Sequence, residues 1–146
     1  MIISHNITEG LSTIYSKIID TTDAGSEHGS GALDFLLSTP AIMTMVVDAS
    51  VDMLDHLLPE DFITVTKSLE MTHEKPTMIG ETVTLVLTVD RLQDDRILLS
   101  FTGHDSAGVI CRGTHKRVIV NRQRLIEAAY KRADRKKPIV TAKSDD

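Results

Sequence analysis

Aromatic residues are scarce in this sequence: there is no tryptophan, and two tyrosines and three phenylalanines make up 3% of the 146 residues. Nucleobase-stacking surfaces are built from such side chains, and no recognisable nucleic-acid module is present, so nucleic-acid binding is not expected. Cysteine is scarcer still. The single Cys111 cannot close an internal bridge, which excludes a disulfide-built fold and suits a reducing cytoplasm. Long apolar runs are missing too, and the longest fall far short of a bilayer span. Met1 to Gly10 has neither a basic nor an apolar signal region, so a cytoplasmic location without a leader or a membrane is expected. There is no Gly-rich phosphate loop and no Gly-x-Ser-x-Gly elbow. His73, His104 and His115 lack the spacing of a zinc site, so no metal is expected.

What is present describes one ordinary soluble domain. The chain is 41% hydrophobic and 25% charged, enough to build a core without staples. Residues 1–133 read as that domain and 134–146 as a polar, flexible tail. Charge is uneven. Residues 112–146 hold 11 of the 16 Lys and Arg but 4 of the 21 Asp and Glu, a balance of +7 against −12 for the rest. Such an end is either a solvated helix and tail or a surface for a phosphate-bearing ligand.

Periodicity predicts a strand, a helix, four strands and a short helix. Leu11–Asp20 reads as the first strand, 23–31 as a loop, and Ala32–Leu37 as a helical turn. The main helix begins at Thr39-Pro40, with Thr39 as N-cap and Pro40 where a missing N–H costs nothing, and runs to about Leu58 before Pro59. Asp48, Asp52 and Asp55 mark its wet stripe. The rest is so apolar that a curled sheet is expected to wrap it.

Ile63, Val65, Leu69, Met71 and His73 share one face of the next strand by strict alternation, with Glu70 on the other. Val83, Leu85, Leu87 and Val89 mark the clearest strand. Arg96–His104 and Val109–Val120 form a hairpin through Asp105-Ser106-Ala107-Gly108. Asn121 caps the last helix, with Leu125, Ile126, Ala129 and Tyr130 as its buried stripe. The pattern is α+β, and an open sheet edge predicts a homodimer.

Four ordered segments carry a more specific message: Leu37-Ser38-Thr39-Pro40-Ala41, the run from Thr72-His73-Glu74-Lys75-Pro76 through Ile79-Gly80 to Val83, Gly103-His104-Asp105, and Gly113-Thr114-His115-Lys116-Arg117. Over roughly residues 10–130 the set resembles the fluoroacetyl-CoA thioesterase branch of the hot-dog family. The resemblance implies five antiparallel strands around a central helix, a dimer, hydrolysis of a small acyl-CoA thioester, and no cofactor. It also implies a site made of a Thr at the helix start, a Glu eight residues later, a His on the next strand and an Arg near the end of the last. These fall on Thr39, Val47, His73 and Arg117, and one does not match in type. Gly80 is placed with Val47 and Arg117 among the residues that contact substrate.

Each residue also has a plainer role. Thr39 is explained as a cap, His73 as a satisfied edge residue, Arg117 as one half of an ion pair. In the functional reading, N–H groups of the first helical turn beyond Pro40 hold an oxyanion, and His73 takes a proton from water or from Thr39. Val47 can neither accept a proton nor align a water. Asp48 is turned about 100° away along the helix, and Glu70 lies across the strand from His73. The rival reading is therefore a non-catalytic acyl-CoA-binding or structural dimer. A hydratase is weaker, because no Asp-to-His pattern of that kind occurs.

Overall fold

The computed structural model describes residues 3–27 and 31–140, with side chains as far as residue 134. Strand β1 (Ser12–Ile18) leads through two short 3-10 turns to helix α1 (Thr39–Leu54). Strands β2 (Phe62–His73), β3 (Thr82–Gln93), β4 (Arg96–Asp105) and β5 (Gly108–Asn121) follow, then helix α2 (Arg122–Val140). All five strands form one antiparallel sheet in the order β1-β3-β4-β5-β2, so β1 and β2 are its edges.

Alternation in β3 and β4 sends Val83, Leu85, Leu87, Val89, Ile97, Leu99 and Phe101 to one face, all buried against α1. The helix answers with Ala41, Ile42, Met45, Val46, Ala49, Met53 and Leu54, an i, i+1, i+4 pattern that covers one side. Each large side chain so enclosed contributes on the order of 1.5–3 kcal/mol. The expected wrapping is only partial. Met43 and Val47 are half-buried and Val51 is exposed, so an apolar strip of α1 faces away from the sheet beside Asp48 and Asp52.

Strict alternation fails in β2. A bulge at Lys67 shifts the register against β5 between Thr66 and Ser68. Before it, Thr64 is the buried residue and Ile63 and Val65 face outward; after it, Leu69, Met71 and His73 turn toward the helix side. Two residues oppose one at such a site, so side-chain phase inverts. Glu70 stays on the opposite face from His73, as expected. Beyond the bulge, β2 and β5 lie close at Gly113, where a Cβ would collide with the Glu70 carbonyl and the Phe101 ring.

Four local expectations change. Residues 32–37 form turns and two isolated bridges, Leu36 to Met78 and Ala24 to Leu37, rather than a helical turn. Helix α1 ends at Leu54, and a 3-10 turn over Asp55–Leu57 completes the run. Helix α2 is 19 residues long rather than short, running into the segment expected as tail; residues 141–146 lie outside the described residues. Asn121 caps it through a bond from the Arg124 N–H, 3.0 Å. Its expected buried stripe is not buried: Leu125 and Tyr130 are 41% and 73% exposed, because only the start of the helix meets the sheet. Among the described residues no helix is long and apolar enough to cross a membrane.

Candidate active site

Helix α1 begins on Ser-Thr-Pro, and either hydroxyl could cap it. Ser38 does so: its backbone is extended and its Oγ accepts the Ala41 N–H at 3.1 Å. Thr39 is thus the first helical residue, and its hydroxyl is released from capping. It lies 2.7 Å from His73 Nδ1. His73 reaches this point because it is the last residue of β2, paired with Cys111, and because the Lys67 bulge has turned its face inward.

The two ring nitrogens of His73 differ. Nδ1 meets Thr39, while Nε2 is buried with no hydrogen-bond partner among the described residues. Burial pushes the His73 pKa below its ordinary value, and the nearby Lys75 backbone offsets this only in part. Charging a buried imidazole is disfavoured, so the ring is neutral at pH 7 and can accept a proton. With Nδ1 accepting from the Thr39 hydroxyl, the pair has the geometry of a base poised on a nucleophile.

Donors at the helix start are already distributed. The Ala41 N–H goes to Ser38 Oγ, the Ile42 N–H to Ser38 O at 3.3 Å, and Pro40 has none. The backbone N–H of Thr39 itself has no partner among the described residues. The oxyanion donor expected from beyond Pro40 is therefore not free there; the available one precedes it. An adjoining cavity of about 540 Å³ is lined by Leu33, Leu36 and Leu37 together with Thr39, His73 and Lys75. The two bridges of the 32–37 segment hold that apolar lining in place.

The other expected site residues lie elsewhere. Val47 is half-buried two turns along α1, and no carboxylate bonds to Thr39 or His73 among the described residues. Glu74, next in sequence, is held by Arg112 at 2.9 Å. Gly80 sits in a tight turn at φ 102°, donates to Ile19 O at 2.8 Å, and lines a separate hollow with His104 and Asp105. Only glycine takes that backbone without strain.

Arg117 is 2% exposed and forms no ion pair among the described residues. Its Nε donates to Thr64 Oγ1 at 2.8 Å, Nη1 to Thr66 Oγ1 at 2.9 Å, and Nη2 to the Thr64 carbonyl at 2.7 Å. Thr64 Oγ1 in turn donates to Asp55 at 2.6 Å, so the balancing carboxylate is one hydroxyl away.

A second histidine–hydroxyl pair, not foreseen from sequence, adjoins Arg117. His115 is fully buried, with Nδ1 3.0 Å from Ser50 Oγ and Nε2 2.9 Å from Thr66 Oγ1. Ser50 donates to the Val46 carbonyl at 2.7 Å, so it accepts from Nδ1–H, and Nε2 accepts from Thr66. Burial, helped by the Arg117 charge, pushes the His115 pKa down to about 4.

Residues 19–123 match the family described as fluoroacetyl-CoA-specific thioesterase, FlK. A hot-dog-like protein from Thermanaerovibrio acidaminovorans is 31% identical, with a TM-score of 0.80 over 85% of this chain and 91% of that one. The fluoroacetyl-CoA thioesterase FlK itself superposes with a TM-score of 0.79 at 17% identity, over 86% of this chain and 97% of its own; a mutant of it has been crystallised with fluoroacetate and CoA. A Thermus thermophilus member of the thioesterase superfamily gives 0.79 at 15% identity, over 92% and 98%. Among curated proteins, none matches.

Proposed function

The chain belongs to the fluoroacetyl-CoA-specific thioesterase family, and on that premise we propose that it hydrolyses a small acyl-CoA thioester to the free acid and CoA, using Thr39 and His73. The observation that carries this is the 2.7 Å contact between Thr39 Oγ1 and His73 Nδ1 at the mouth of a cavity. In this reading His73 Nδ1 takes the hydroxyl proton as Thr39 Oγ1 attacks the thioester carbonyl. The tetrahedral oxyanion is met by the Thr39 N–H and the positive end of α1. Collapse breaks the carbon–sulfur bond, and His73 returns the proton to the departing CoA sulfur. A water, deprotonated by the same nitrogen, then cleaves the acyl-threonine ester and restores Thr39.

No step needs a metal or an organic cofactor. Val47 stands where the resemblance implies a glutamate, and in this reading it contacts the acyl group. Arg117, enclosed by β2 and β5, is assigned to holding the far end of the site's framework. The hollow at Gly80 is assigned no step. A homodimer is part of the proposal, supported by the open β2 edge and the uncovered strip of Met43, Val47 and Val51. A reducing, cytoplasmic setting suits the unpaired Cys111, whose burial pushes its thiol up to about 11 and leaves it inert.

The rival, an acyl-CoA-binding dimer without turnover, is favoured by one observation, that no carboxylate bonds to His73 among the described residues. Release of CoA thiol across a panel of acyl-CoAs decides between them. Turnover abolished in His73→Ala is expected, and in acid-quenched wild type an acyl adduct on Thr39 is expected by mass spectrometry. Tight binding of acyl-CoA with no thiol release from wild type would establish the rival.

A further inference from the structure

The face of the sheet turned away from α1 gathers positive charge near the β3–β4 turn. Arg91, Arg96, Lys116 and Lys67 line one groove there, about 640 Å³ in volume, together with Leu98 and Val118. Register sets the arrangement: Leu98 lies between Arg91 and Lys116, Arg96 opposes Val118, and Lys116 opposes Ser68 beside the Lys67 bulge. With strands about 4.8 Å apart and same-face residues about 7 Å apart, each cation has another within about 10 Å. All four are exposed, and none has a side-chain hydrogen bond or ion pair among the described residues. Asp95 is the one carboxylate in the lining among those residues.

This cluster is not the by-product of a basic protein, since the chain carries a net charge of −5. Four cations against the one carboxylate of Asp95 leave an excess of positive charge in the groove, and an anion relieves that repulsion. A single small anion needs one or two of them and makes no use of the apolar pair in the middle. A flat base laid on Leu98 and Val118, with its phosphates spread over the flanking Arg and Lys, uses the whole groove. We propose that this outer groove is a binding site for a nucleotide carrying two or more phosphates. Such chemistry has two sources, the nucleotide end of a CoA thioester and a free nucleotide. The site does not depend on the hydrolytic reading.

The test is equilibrium titration of the full chain with adenosine 3′,5′-bisphosphate and with ADP. Saturable binding that weakens as salt rises is expected for at least one of them. Arg96→Glu with Lys116→Glu is expected to weaken it at least about tenfold, and Lys67→Ala with Arg91→Ala by less. His73→Ala, outside the groove, leaves the titration unchanged. All four substituted side chains are exposed, and circular dichroism verifies that the variants fold. No saturable binding by wild type, or equal binding by the charge-reversed variant, overturns the site. A charge-reversed variant with a raised KM for an acyl-CoA but not for the same acyl group on pantetheine identifies the substrate's own nucleotide. Lost titration with both KM values unchanged identifies a separate nucleotide. If wild type hydrolyses neither thioester, the hydrolytic reading fails while the titrations still decide the groove.

Discussion

Helix α1 presents a hydroxyl to a histidine at two places, and the two pairs have opposite chemistry. Ser50 and His115 form a closed circuit in the core, running from Arg117 through Thr66, His115 and Ser50 to the Val46 carbonyl, with no side-chain nitrogen or oxygen left without a partner. Thr39 and His73 form an open one, beside a cavity, with Nε2 left over. A satisfied buried network resists change and rigidifies its surroundings. An incomplete pair at a cavity mouth keeps a lone pair and a hydroxyl for something that binds. The same two functional groups are scaffold in one setting and candidate reagent in the other.

The sharpest way to break this comparison is to exchange the consequences of losing each histidine. His73→Ala is expected to lower kcat/KM for the best acyl-CoA by at least about 10²-fold. Its melting temperature is expected to hold, because an unpaired buried nitrogen leaves with the ring. A wild-type rate in the folded variant would remove His73 from the mechanism. The loss of rate on acidification is also expected to come at lower pH than for an ordinary histidine, since burial lowers the His73 pKa.

His115→Ala is expected to do the reverse. It strands Ser50 and Thr66 and opens a cavity, at a cost of about 3 kcal/mol in urea unfolding, while kcat/KM stays within about threefold. A larger kinetic than thermodynamic loss would show that the two pairs are coupled. The closed circuit also predicts a pH signature. Unfolded His115 takes up a proton near 6.5, while the folded residue holds off until about 4. The unfolded state therefore binds more protons in that window, and stability falls as pH drops through it, by about 3 kcal/mol in all. Urea unfolding from pH 7 to pH 4 measures this, and His115→Gln is expected to flatten the slope.

The smallest effect sharpens the open pair. Val47→Glu supplies the carboxylate that the Thr39–His73 site lacks, from two turns along the same helix. A rise in turnover of up to about tenfold is expected, with about 1 kcal/mol lost to burying a carboxylate. Unchanged turnover would mean that the site works without a third member.

Much of this was readable in residue order. Val83, Leu85, Leu87 and Val89 announce a half-buried strand because alternation needs only the pleat. Asp105 to Gly108 closes its hairpin as its turn chemistry dictates. Thr39 and His73 stand out as candidates in the sequence, yet Thr39 is not the cap, and strict alternation from the buried Thr64 would have turned His73 outward. The bulge at Lys67 carries no glycine or proline to mark it. It is visible only where β2 meets β5.

By itself, then, the sequence determined the main helix, the five strands and their order, because periodicity, turn residues and caps act within a few neighbours. Tertiary structure alone decided which hydroxyl capped α1, which way His73 faced, and that His115 and Arg117 would be buried together. Those outcomes depend on hydrogen bonds between residues 34 to 65 positions apart. Only the packed sheet brings such partners within reach, and only there does leaving one of them unpaired carry a cost.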